Sequence, residues 1–129
     1  MDTIGNLIIT IKNGYARGKR EVVAPHSRMS ERICDILVQK GFLKEVKIIK
    51  DERGFKALSI SLKYSEKIPA LSNIRRVSKL GRRVYRGFAD IPKIRFGYGV
   101  TILSTPKGVF PADEARKNHL GGEIICQAW

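Results

Sequence analysis

Two apolar periods follow one another in the first half of this 129-residue chain, and their order constrains the fold more than any other feature. Between Asp2 and Tyr15, the residues Ile4, Leu7, Ile8, Ile11 and Tyr15 recur at the spacing of one helix face. Asp2 or Thr3 can cap that helix, and Gly14 lies near its end. Ser30 is expected to open a second helix, with Glu31 in its first turn, Ile33, Ile36 and Leu37 as its stripe, Cys34 at the border and Gly41 to stop it. The period then falls to two. Phe42–Lys50 and Phe55–Tyr64 read as strands joined by the loop Asp51-Glu52-Arg53-Gly54. Leu58, Ile60, Leu62 and Tyr64 belong to one face, and Ser59, Ser61 and Lys63 to the other. Glu21–Ala24, closed by Pro25, supplies a third strand. Two helices on a three-stranded sheet form an α+β layer.

Ser65–Ser72, with Pro69, interrupts both periods and marks a subdomain boundary. The expected organisation is an α+β subdomain over residues 1–66 and a mainly β one over 67–129. In the second, Ile74–Arg95 holds eight bases (Arg75, Arg76, Lys79, Arg82, Arg83, Arg86, Lys93, Arg95) and one acid, Asp90. Val77, Leu80, Val84, Tyr85 and Phe88 interleave with them, which argues for a folded strand, turn and strand with a cationic outer face rather than a disordered basic tail. Gly81 would supply the bend. Six arginines against two lysines suit bidentate phosphate contact and base stacking. Phe96-Gly97-Tyr98-Gly99 is not a dinucleotide-binding loop, because it precedes a strand and opens no helix; its glycines suit a bend. Pro111–Asn118 reads as a short helix with Pro111 at its first position. Glu123–Trp129 reads as a last strand, with Ile124, Cys126 and Ala128 on one face and Ile125, Gln127 and Trp129 on the other.

Charge narrows the partner. Twenty-five Lys and Arg against twelve Asp and Glu leave a formal charge of +13. Such a potential recruits a phosphate polymer or an anionic membrane. No apolar run approaches the roughly 18 residues of a spanning helix, and the start lacks the ordered basic and apolar regions of a signal peptide. Cys34 and Cys126 lie far apart without redox or zinc spacing, and His26 and His119 are isolated. These features lead us to expect reduced thiols in a cytosolic or organellar protein, with no metal and no cofactor.

Val100–Gly108 runs from a strand into Ser104-Thr105-Pro106-Lys107-Gly108, which combines hydroxyls, one cation and a glycine. Taken alone it reads as a surface turn. Beside the basic segment it becomes a candidate for polar contact with a ligand. Glu123, after Gly121-Gly122, can brace a cation of that face or accept from a base amino group. For catalysis the chain offers little. Ser104 has no partner in a recognisable triad order, and Asp113-Glu114 are adjacent on a helix and diverge. A small serine hydrolase is therefore the remote alternative, and a general RNA- or DNA-binding protein the nearer one.

Several stretches in order resemble the small-subunit ribosomal protein S-eight family in its bacterial and organellar form. They are Asp2-x-Ile4 leading to Ile11-Lys12-Asn13, Pro25-x-Ser27-Arg28, Gly41 after the second helix, and Ser78-Lys79-Leu80-Gly81-Arg82-Arg83-Val84-Tyr85. Gly97-x-Gly99-Val100, Ile102–Gly108, Glu114-Ala115-Arg116, Gly121-Gly122-Glu123-Ile124 and Cys126-x-x-Trp129 complete the set. The resemblance implies a non-enzymatic constituent of the small (30S) subunit that binds the central domain of 16S rRNA directly, early in assembly. It also implies neighbouring small-subunit proteins as partners and, in some members, repression of the protein's own operon messenger. It implies no membrane and no small-molecule substrate, and a place on the cytoplasmic ribosome, with an organellar ribosome as the alternative. The family's RNA contacts carry over to Ser104, Thr105, Lys107, Gly108 and Glu123, supported by Tyr85, Lys12 and Asn13, while Arg82, Arg83 and Arg86 follow from the basic segment. The chain departs from the family pattern at Pro106, where a second serine is usual, at Pro111-Ala112, and at Leu80.

Overall fold

The computed structural model describes residues 2–93 and 99–129. Arg95 and the bend expected at Phe96-Gly97-Tyr98 lie outside the described residues. The chain groups into two compact units, Met1–Ser72 and Asn73–Trp129.

In the first unit, helix α1 (Thr3–Ala16) buries Leu7, Ile8, Ile11 and Tyr15, and the Asp2 carboxylate caps it by accepting from the Gly5 N–H at 3.0 Å. Strand β1 (Glu21–Pro25) follows, then α2 (Arg28–Gln39). The second helix starts two residues before Ser30. Ser27 accepts from the Ser30 N–H at 3.0 Å and so takes the capping role, while Ser30 itself is buried and hydrogen-bonded to the Ser27 hydroxyl. Strands β2 (Leu43–Lys50) and β3 (Lys56–Leu62) complete an antiparallel sheet in the order β1-β3-β2. Leu58, Ile60 and Leu62 are all buried, α1 packs on β1, and α2 packs on β2. Both strands are shorter than their periodicity suggests: Phe55 joins the hairpin turn, its N–H donating to the Asp51 carboxylate at 2.9 Å, and Tyr15 occupies the opposite ends. Its hydroxyl donates to the Phe42 carbonyl and accepts from the Lys63 N–H at 3.1 Å, which ties the end of α1 across the sheet. Tyr64 instead begins a two-residue ribbon, β4 (Tyr64–Ser65) with β5 (Ile68–Pro69), closed by Glu66 and Lys67 at positive φ.

Among the described residues, the second unit is a five-stranded antiparallel sheet built on its last strand. β6 (Ile74–Arg76) and β7 (Tyr85–Arg86) pair with β10 (Gly122–Ala128), which also pairs with β8 (Val100–Thr105); β9 (Gly108–Pro111) lies beyond β8. The expected strand, turn and strand is present, with Gly81 at φ +81° in the turn. β6 and β7 do not pair with each other but lie in succession along β10, and only the Lys79–Arg82 turn has a local bridge. The buried Ser78 hydroxyl holds this excursion by accepting from the Val84 N–H at 2.9 Å. Leu80, expected among the interleaved apolar residues, stands at the turn and is 90% exposed.

A short 3-10 turn (Phe88–Asp90) and helix α3 (Ala112–Lys117) complete the unit. Pro111 is the residue before α3 rather than its first position, since it is still paired with Ile102 in β9. The expected two-faced β10 is also corrected. A bulge at Ile125 shifts the register, so that Ile124 opposes Leu103 whereas Cys126 opposes Ile102, and Ile124 and Cys126 fall on opposite faces. Ile124 joins Leu103, Ile91, Ala112 and Ala115 in one buried cluster.

Candidate nucleic-acid interface

Strand register sets the site in the second unit. Tyr85 of β7 lies opposite Glu123 of β10, Glu123 lies opposite Ser104 of β8, and Ser104 opposite Val109 of β9. Directly opposed residues share a face and stand about 5 Å apart, so a phenol, a carboxylate and a hydroxyl form one row across the sheet. An open hollow of ≈ 550 Å³ lies here, lined by Tyr85, Arg86, Gly87, Ser104, Pro106 and Glu123 among others.

Two glycines allow this convergence. A Cβ on Gly122 would sit 2.1 Å from the Ser104 carbonyl oxygen, and one on Gly121 would sit 2.6 Å from the Arg86 carbonyl oxygen and 2.8 Å from the Gly87 Cα. Neither position has room for a side chain, because the obstruction is backbone. Glu123 is held in turn: its Oε2 accepts from the Arg83 guanidinium at 3.2 Å. The carboxylate therefore braces a cation of the basic segment, as the sequence reading allowed.

The loop is narrower than expected. Ser104 and Thr105 belong to β8, and the turn itself is Pro106-Lys107. Thr105 is buried; its hydroxyl donates to the Gly108 carbonyl at 2.8 Å and accepts from the Lys107 N–H at 3.2 Å, so it staples the turn from within. Ser104 is half-buried on the row, while Lys107 and Gly108 are exposed at the tip. Tyr85 is 63% exposed. Arg86 is also exposed, with its guanidinium on the Tyr85 carbonyl at 2.8 Å, and Arg82 and Arg83 are exposed at and beside the Lys79–Arg82 turn. Lys12 and Asn13 lie in the other unit, exposed on α1, where Asn13 lines a separate hollow of ≈ 400 Å³ with Arg17 and Lys19.

The arrangement can do several kinds of chemistry at once. The Ser104 hydroxyl donates and accepts, the Tyr85 ring offers a stacking face, Arg86 and Lys107 offer charge, and Glu123 accepts. The sequence reading missed Gly87, Gly121, Gly122 and Pro106 as walls of the hollow. A glycine doublet signals a turn as readily as a close approach, so only the pairing partners distinguish the two.

A family model described as ribosomal protein S8 matches residues 2–129 of the chain. Among similar proteins, a small ribosomal subunit protein uS8 of Ruegeria sp. (strain TM1040) is 46% identical over 125 residues, covering 97% of this chain and 96% of the relative. The protein of the same description from Pelagibacter ubique (strain HTCC1062) is 44% identical, covering 99% of this chain and 97% of its own. That from Chloroflexus aggregans (strain MD-66 / DSM 9485) is 43% identical over 129 residues, again covering 99% and 97%.

Proposed function

Because the chain belongs to the ribosomal protein S8 family, and is thus a structural component of the small ribosomal subunit rather than an enzyme, we propose that it binds the central domain of 16S rRNA directly and helps assemble it. The observation that carries this reading is the Tyr85–Glu123–Ser104 row beside exposed arginines. The work divides in two. The arginines of 75–86, with Arg17, Lys19 and Arg20, neutralise phosphates and supply affinity that does not depend on sequence. The row and the Pro106-Lys107 turn read an irregular, splayed site through 2′-hydroxyls and base edges. Lys12 and Asn13 add contacts from the first unit. The setting is the cytoplasmic ribosome, among neighbouring small-subunit proteins.

Footprinting of the purified protein on full-length 16S rRNA tests the target; protection is expected in the central domain and nowhere else. Ser104→Ala tests the division of labour. It should weaken binding to the protected fragment by about 1–2 kcal/mol, the cost of one lost hydrogen bond, and leave non-specific RNA binding unchanged. Equal losses on both RNAs would sink the reading. Competition by the chain's own operon messenger tests the regulatory part, and failure to compete at any concentration would remove it.

A further inference from the structure

Phe88 and His119 form a stacked pair, with ring centroids 4.8 Å apart and planes 18° from parallel. The pair sits beside the hollow along both chain segments. Phe88 follows Gly87, His119 precedes Leu120-Gly121, and Gly87 and Gly121 are in backbone contact in the wall of the hollow. Both rings stay exposed, Phe88 by 40%.

The conformation of His119 is the second observation. Its φ is +56°, the left-handed region. It follows the last residues of α3, with its N–H on the Arg116 carbonyl at 3.1 Å and the Leu120 N–H on the Ala115 carbonyl at 2.8 Å. This is the helix-ending motif that favours glycine, because a Cβ is disfavoured there. The backbone thus needs only what glycine supplies, and the imidazole is held at a local cost with little burial in return.

We propose that the Phe88–His119 stack is a further RNA contact at the edge of the hollow, on which an unpaired base of the bound RNA stacks. The proposal rests on the RNA-binding reading above. Rings of this kind take any base, since every base has a π face. Arg86 and Lys117, exposed on the same two segments, supply charge for the adjoining phosphates.

His119→Gly tests it, because that variant keeps the helix ending and removes the ring. Phe88→Leu removes the other ring while keeping an apolar side chain. Each full-length variant is measured against the footprinted 16S rRNA fragment, with Ser104→Ala alongside and urea unfolding of every protein. The expected result is a loss of about 5- to 10-fold in RNA affinity for each ring variant, the lower end for one stacked base, with His119→Gly at least as stable as the parent. Unchanged affinity in both ring variants, with binding still lost in Ser104→Ala, overturns the stack and leaves the row standing. Loss in the ring variants with Ser104→Ala neutral upholds the stack and removes the row. No binding by the parent protein, or no loss in any variant, overturns both. A fall in stability of His119→Gly with affinity intact assigns the pair a structural role and likewise overturns the proposal.

Discussion

Cys126 shows how one side chain links the sheet to pH. It is fully buried, and burial pushes its thiol up from 9.0 to about 12, with the nearby Arg76 charge pulling weakly the other way. Below about pH 9 the thiol is neutral in both the folded and unfolded chain and has no effect on the balance. Between about 9 and 12 the unfolded chain loses this proton and the folded chain keeps it, so stability falls as pH rises, by up to about 1.4 kcal/mol per pH unit. In Cys126→Ala that contribution is absent. The decline in unfolding free energy between pH 9 and 10.5, followed by urea titration, should therefore be shallower than in the parent by close to one proton; parallel declines would show that the thiol titrates normally. At the same scale Thr105 and Ser104, neighbours with the same functional group, have separate fates. The Thr105 hydroxyl is used up inside the turn, and Ser104 is left on the open row.

At the scale of elements, the two glycine contacts differ in what they can tolerate. A Cβ on Gly14 of α1 would meet Val22 Cγ1 at 2.6 Å and Leu62 Cδ1 at 3.0 Å, so the buried Val22 side chain must shift, a cost offset by the about 1 kcal/mol of helix propensity that alanine gains over glycine. A Cβ on Gly122 would meet the β8 backbone at 2.1 Å, which cannot move without opening the β8–β10 ladder. Gly122→Ala should therefore cost about 1–3 kcal/mol of stability and weaken RNA binding more than Ser104→Ala does, whereas Gly14→Ala should stay within about 1 kcal/mol of the parent. Urea unfolding of the two variants checks the order, and a milder effect at Gly122 would refute it. The same contrast explains what was legible beforehand. Helices α1 and α2 follow from period because each has one wet and one dry side, and β3 follows from the polar residues that separate Leu58, Ile60 and Leu62, although Ser59 on the opposite face is buried as well. β10 has no such contrast. Ile124 through Ala128 are all buried, so the bulge at Ile125 leaves no trace in the pattern. The strands within Ile74–Arg86 were readable as extended, but their partner was not, since pairing with β10 depends on residues 36 to 54 positions away. The candidate site was legible as residue types, namely Ser104, Glu123, Tyr85 and the arginines. Their alignment in one row needed the register.

For the whole molecule, a formal charge of +13 makes affinity a function of salt. Plotted as log K against log salt concentration, binding to the 16S rRNA fragment should fall steeply, and Arg82→Ala should reduce the slope by about 0.7–0.9, one phosphate contact. An unchanged slope would mean that the Arg82 guanidinium points away from RNA. The strand order has a further consequence at this scale. Within the second unit, β10 is synthesised after β6, β7, β8 and β9, yet it is the strand that joins them. Until it emerges, Tyr85 and Ser104 belong to segments with no common ladder, and the carboxylate between them does not yet exist. A growing chain therefore cannot display this face early, and fragments ending before Gly122 lack it altogether. If this face binds RNA as proposed, translation itself sorts which copies can compete for it: only those read through Ala128 carry the complete β8–β10 ladder.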